Sequence, residues 1–170
     1  KLCEKNNLLL IIDEVQTGVG RTGKAFGFQN YDFQPDIITL AKGLGGGVPI
    51  GAMLAKEEVA DIFKPGDHAS TFGGNPLVTN VALKVCNIIF QEEFLNEIQE
   101  KGKYMRDQLE KLKEKIMLPG KVKGKGLMVG MDYPGDAGVI VSKMLEKNIL
   151  INAIGGKTLR FVPPLNVKYD

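Results

Sequence analysis

Leu8-Leu-Leu-Ile-Ile12 is an unbroken apolar run that stops on two acids, Asp13 and Glu14. Consecutive apolar side chains cannot alternate between core and solvent, so a strand made from them needs cover on both faces. Strands of that kind belong to parallel sheets flanked by helices, which puts the chain in the α/β class. A second run, Asp36-Ile-Ile-Thr-Leu40, has the same form and ends at Ala41-Lys42. Residues 17–36 hold glycines, aromatics and Pro35 and read as a long loop. Gly43, Gly45, Gly46 and Gly47 follow Lys42, and residues 49–55 read as a third strand.

Helical periods take over after Asn75-Pro76, a strong start signal with Asn as N-cap and Pro in the first turn. Leu77, Val81, Val85 and Ile88 are the expected inner face of that helix. Residues 92–116 space Ile98, Met105, Leu109, Leu112 and Ile116 three or four apart, or a multiple of that. Gly102 interrupts this helix at a cost of about 1 kcal/mol, so a bend is expected there. Residues 126–133 then alternate as a strand, residues 136–147 form an amphipathic helix, and Asn148 sits where a left-handed C-cap belongs. Residues 149–152 and 158–162 read as two further strands around Gly155-Gly156. Lys121, Lys123 and Lys125 read as a solvated segment beside a strand, and the methionines as core filler. The change in character gives two expected domains, residues 1–103 and 104–170.

Composition narrows the function. Hydrophobic residues make up 44% and charged ones 25%, and acids and bases are mixed to a formal net charge of +2. Nothing in that balance favours nucleic acid or an anionic membrane surface. No apolar run approaches the roughly 20 residues a membrane span needs. Cys3 and Cys86 are too few for a disulfide framework or a metal knuckle, and a reducing, cytoplasmic setting is expected. The chain opens at Lys1 in what reads as the tail of a helix and stops just after a Pro-Pro turn, and both ends are read as cuts through a longer protein.

The glycines and acids admit two chemistries. Gly18-Val-Gly-Arg-Thr-Gly23-Lys24 fits the phosphate-loop spacing of an NTPase, and the run ending at Asp13-Glu14 resembles its acidic strand. However, Ala25 stands where a Mg²⁺-binding Ser or Thr is required, the acidic strand precedes the loop, and no helical pattern follows Lys24. The NTPase reading fails on those grounds. Pyridoxal-phosphate (PLP) chemistry uses the same residues better. It needs a lysine amine for the cofactor aldehyde and an acid facing the pyridine nitrogen. Asp13 and Lys42 would project from the carboxyl ends of two buried strands, where open α/β sheets bind ligands. The glycines after Lys42 clear side chains from a backbone that a ligand must approach.

Four segments in order carry a more specific resemblance: Ile-Ile-Asp13-Glu14-Val15-Gln16-Thr-Gly, Pro35-Asp36-Ile-Ile-Thr-Leu-Ala-Lys42-Gly, Ser70-Thr71-Phe-Gly-Gly-Asn75-Pro76 and Leu159-Arg160-Phe-Val-Pro-Pro. Together they resemble the class III aminotransferases, and the likeness covers essentially the whole chain. It implies a PLP-dependent transferase of fold type I. This chain would hold the later part of the large, mostly parallel-sheet domain and a small C-terminal α/β domain. Lys42 then matches the catalytic Schiff-base lysine that shuttles the proton, and Asp13 the acid at the pyridine nitrogen. Val15 matches the residue on one ring face, Gln16 the partner of the phenolic oxygen, and Thr71 a residue reaching the cofactor phosphate of the other subunit in a homodimer. Arg160 matches the arginine that clamps the substrate carboxylate, a task suited to a bidentate fork. The expected substrates are a small amino acid and a 2-oxo acid: N-acetylornithine and 2-oxoglutarate, in arginine biosynthesis. Ornithine, succinylornithine and 4-aminobutyrate are alternative donors.

The same residues also have plainer readings. An acid after an apolar strand usually caps a loop, and lysines are mostly exposed; only the joint pattern lifts Asp13 and Lys42 above that. Glu14 could hold a loop or pair with a base, Arg21 could anchor the loop around it, and His68 reads as a polar loop residue. A scaffold that kept the fold without the cofactor is the non-enzymatic alternative. The family's upstream half, with most of the phosphate site, is absent from these 170 residues. The chain alone is therefore expected to bind PLP poorly and not to turn over.

Overall fold

Strand pairing follows the apolar runs. In the computed structural model, which describes residues 1–169, β1 (Ile11–Asp13) lies parallel to β2 (Ile37–Leu40). β2 pairs antiparallel with β3 (Ala52–Ala55), giving the order β1-β2-β3. Asp36 fastens the entry to this sheet. Its carboxylate accepts the Leu10 N–H at 2.7 Å and the Lys56 ammonium at 2.7 Å. Those bonds, the backbone one first, hold its carboxyl below the ordinary carboxylate range. Ile37, Ile38 and Leu40 of β2 are buried. Leu8, Leu9 and Ile11 are instead 58%, 56% and 57% exposed, and β1 is an edge strand with only β2 beside it. The two-sided cover expected for the first run is therefore not supplied within this sheet.

The chain divides into two units. The first comprises Lys1–Gly20 and Lys24–Phe94. Besides the sheet it holds the short helices α1 (Leu2–Lys5) and α2 (Glu57–Ala60) and the longer α3 (Pro76–Ile89). Asn75 caps α3 as expected, its side-chain oxygen accepting the N–H groups of Leu77 and Val78. The buried face is rotated from the expected one: Val78 and Ala82 are buried, while Leu77 and Ile88 are exposed. The reason is a close approach, since Ala82 packs into a core with Val19, Leu40 and Leu44. A large side chain would not fit where the small one sits. Val85, Ile89, Phe26 and Ile50 complete that core.

The second unit joins Arg21–Gly23 to the chain from Leu95 onward. It contains most of α4 (Glu92–Lys115), then β4 (Val122–Lys125), β5 (Met128–Asp132), α5 (Ala137–Leu145), β6 (Asn152–Ile154) and β7 (Thr158–Phe161). The sheet is antiparallel throughout, in the order β4-β5-β7-β6. Met131, Ala137 and Leu159 form its buried core, with Leu109, Val122, Ile140 and Phe161 against them. β4 is the strand the sequence hides: Val-Lys-Gly-Lys carries no apolar alternation, and its lysines lie along an exposed sheet edge. Charged edges of this kind discourage pairing with other chains. Asn148 takes the expected left-handed conformation, φ 60°, and Ile149 N–H reaches back to Met144 O at 2.9 Å. Met131 is buried as core filler, but Met117 is exposed in the turn that follows α4. No helix among the described residues is long and apolar enough to cross a membrane.

Gly102 is not the bend that sequence suggests. α4 runs uninterrupted through it, and the residue is buried. A Cβ added there would stand 2.0 Å from the Gly126 carbonyl oxygen, so this glycine exists to admit another backbone. The two explanations differ in sign. Helix propensity alone makes Gly102→Ala stabilising by about 1 kcal/mol, whereas a backbone clash makes it destabilising by about 2 kcal/mol or more. Urea unfolding of the variant is expected to give the second result; a stabilised variant would contradict the close approach.

Candidate active site

Asp13 and Lys42 are brought to one edge by strand register. Asp13 is the last residue of β1 and stands opposite Thr39 of β2. The Thr39 hydroxyl is 3.4 Å from Asp13 Oδ1, and Val15 N–H donates to the same oxygen at 2.9 Å. Lys42 follows Thr39 by three residues, just beyond the carboxyl end of the parallel neighbour. An exposed acid and an exposed amine thus share the carboxyl edge of two parallel strands, the place where open sheets of this class bind ligands. Val15 and Gln16 continue from Asp13 into a tight turn closed by Gly18 N–H on Glu14 O at 2.9 Å.

The backbone at this edge is strained. Lys42 adopts φ 47° and Val19 φ 50°. The left-handed region is unfavourable for residues with a Cβ, and more so for a β-branched one. Val19 is buried, packs with Leu40 and Leu44 on either side of Lys42, and lies beside Gly43, where an added Cβ would sit 3.5 Å from Val19 Cβ. Two strained residues therefore support each other, one carrying the amine and the other backing its turn. Strain held by surrounding packing is a recurring mark of functional sites. Sequence gave no sign of Val19, whose apolar type says nothing about φ.

Glu14, left open between loop holder and partner of a base, is a loop holder. It is 1% exposed. Its carboxylate accepts the Phe28 N–H at 2.7 Å, the Gly27 N–H at 2.9 Å and the Thr17 hydroxyl at 2.5 Å.

Arg160 lies on β7 in the second unit, paired across the sheet with Gly130 and Asn152. Arg21 belongs to the same unit. Its guanidinium donates to Pro163 O at 2.6 Å and Leu127 O at 3.1 Å, so it anchors the segment that follows β7. Burial, and then the positive charge of Arg160, hold the Arg21 guanidinium below its ordinary pKa. Thr71 lies on the exposed loop leading to α3. His68 is an exposed loop residue against the Phe63 ring, with centroids 5.1 Å apart. No group of acids, cysteines or histidine that could hold a metal ion occurs among the described residues.

The class-III aminotransferase sequence profile matches residues 1–170. This chain belongs to the class-III aminotransferases. It is 56% identical over 168 residues to the acetylornithine aminotransferase of Caldanaerobacter subterraneus subsp. tengcongensis, a match covering 98% of this chain and 42% of that protein. The acetylornithine aminotransferase of Aquifex aeolicus is 49% identical over 170 residues, covering 100% and 43%. Among solved structures, a Toxoplasma gondii ornithine aminotransferase with PLP at partial occupancy in its active site superposes with a TM-score of 0.90. It is 36% identical, covering 99% of this chain and 41% of that one. The chain thus spans about two fifths of the length of the curated relatives it matches. Family and architecture agree with the fold type I transferase class, and that class works with PLP.

The strain at position 42 has a measurable consequence. Lys42→Gly and Lys42→Ala both delete the amine, but only glycine relaxes the left-handed backbone. Lys42→Gly is expected to be more stable than Lys42→Ala by about 1 kcal/mol in urea unfolding. Equal stabilities would mean that the turn is not strained.

Proposed function

We propose that the protein carrying this chain transfers an amino group from N-acetylornithine to 2-oxoglutarate, with PLP held between Asp13 and Lys42. The observation that carries the reading is the shared carboxyl edge of β1 and β2, where the acid and the amine are three residues apart in register. The donor set fits the cofactor: a carboxylate for the pyridine nitrogen and a primary amine for the aldehyde. The backbone is open at Gly47, where an added Cβ would meet nothing within 4 Å.

When bound, PLP supplies an electron sink for the bond broken at the substrate Cα. This chain's residues do the rest. Asp13 keeps a proton on the ring nitrogen by its negative charge. Lys42 is the amine that would hold the cofactor at its aldehyde, and as a general base it would move the proton at the substrate Cα. Val15 packs on one ring face and Gln16 bonds the phenolic oxygen. Arg160 binds the substrate α-carboxylate through its planar fork, and the second guanidinium, Arg21, fixes the segment beyond β7. Thr71 reaches the cofactor phosphate of a partner subunit, which makes the active protein a homodimer. Residues 1–103 are the later part of the cofactor-binding domain and residues 104–170 part of the small domain. The setting is the cytoplasm, and the reaction belongs to arginine biosynthesis.

The donor assignment is supported by identities of 56% and 49% to acetylornithine aminotransferases. Ornithine is the competing donor, favoured by the superposition on the T. gondii enzyme. Glutamate formation from 2-oxoglutarate, measured on the longest natural protein carrying this sequence, separates them. N-acetylornithine is expected to exceed ornithine, succinylornithine and 4-aminobutyrate in kcat/KM by about tenfold or more, the range that a dedicated pocket provides. Equal values for the four amines would contradict the assignment.

A further inference from the structure

Glu14 is the one buried carboxylate among the described residues, and the proposed chemistry leaves it without a task. Its partners explain why it is there. The backbone N–H of Glu14 donates to Thr39 O at 2.9 Å, which carries the β1–β2 ladder one residue past Asp13. Its carbonyl receives Gly18 N–H at 2.9 Å and closes the turn that contains Val15 and Gln16. Its carboxylate takes Thr17 from that turn, together with Gly27 and Phe28 from a different segment. Gly27 must be glycine for this, because an added Cβ would stand 2.9 Å from Glu14 Oε2 and 2.9 Å from Thr17 Cβ. Phe26 and Phe28, stacked at 6.0 Å, bring that loop onto the first unit's core through Phe26. One residue thus ties β2, the turn 14–18 and the loop 26–28 at a single point, directly between Asp13 and Gln16.

A buried charge satisfied only by hydrogen-bond donors depends on every one of them. Aspartate is one methylene too short to reach the same amides from the same backbone. Glutamine presents an NH₂ where the amide and hydroxyl donors need an acceptor, so one oxygen's worth of bonds is lost and a donor faces donors.

We infer that Glu14 is a positioning residue: through its carboxylate it fixes the turn on which Asp13 and Gln16 are mounted, and so sets how the acid and the amide meet the cofactor ring. The inference rests on the assignment of Asp13 and Gln16 to PLP. In the longest natural protein carrying this sequence, Glu14→Gln is expected to weaken PLP binding about tenfold to a hundredfold, the range for losing bonds to a buried charge. It is also expected to shift the visible absorbance of bound PLP and its pH midpoint, and to lower kcat with little change in KM for 2-oxoglutarate. Without cofactor, amide exchange should speed up over residues 13–28 and not in α3. Thr17→Val, which removes one donor, should give the same pattern to a smaller extent, and Thr17→Ser should restore it. If Glu14→Gln does not fold, that pair decides alone.

Asp13→Asn serves as the control. If Asp13→Asn changes the PLP spectrum while Glu14→Gln and Thr17→Val leave it as in the wild type, this inference is overturned and the cofactor assignment stands. If Asp13→Asn leaves the spectrum unchanged, the cofactor assignment itself fails. Lost stability in Glu14→Gln with a wild-type spectrum and unchanged kcat would make Glu14 structural only, and would also overturn the inference.

Discussion

Register between β1 and β2 sets Asp13 opposite Thr39 and three residues short of Lys42, and the rest of the site is arranged around that pairing. A parallel ladder places both carboxyl ends on the same side, which an antiparallel hairpin cannot do. Asp36 secures the ladder at its start by accepting Leu10 N–H. Glu14 secures it at its end through Thr39 O, and the strained turn of Lys42 rests on Val19. The edge that presents the exposed acid and amine is therefore carried by backbone bonds and packing.

Buried features and chemical motifs were legible in the sequence in different ways. The apolar content of β2, the Asn75 cap and the left-handed Asn148 follow from residue type, since each has one dominant physical use. Asp13 and Lys42 stand out in the sequence because the proposed chemistry needs two residue types at two strand ends, and the structure puts both at that edge. β4 was invisible because Val-Lys-Gly-Lys has no apolar period, and its edge place in the sheet comes from pairing with β5 alone. The inner face of α3 differs from the one periodicity suggests, because a stripe of large residues cannot be told in sequence from a neighbouring stripe that admits a close contact at Ala82. Helix propensity makes Gly102 look like a flaw, whereas its lack of a side chain answers to Gly126, 24 positions later in the chain. Backbone strain at Val19 and Lys42 has no sequence signature at all.

Arg21 shows how a local motif can mislead. Its glycine-rich surroundings imitate a phosphate loop, yet the residue serves the second unit, where it holds Leu127 and Pro163 carbonyls. The glycines allow the chain to leave the first unit for three residues and return at Lys24. Gly18, with the Glu14 carbonyl 2.8 Å from where its Cβ would be, closes the turn before that departure. A pattern that resembles a nucleotide-binding loop is in this fold a stretch whose central residues, Arg21–Gly23, belong to the second unit.

The claim on which everything else depends is that Lys42 carries the cofactor. Borohydride reduction of the longest natural protein carrying this sequence, loaded with PLP and then digested and mapped by mass, tests it directly. A phosphopyridoxyl group on Lys42, absent after Lys42→Ala, is the expected result. A stable adduct on another lysine, or none with Lys42 intact, would contradict it.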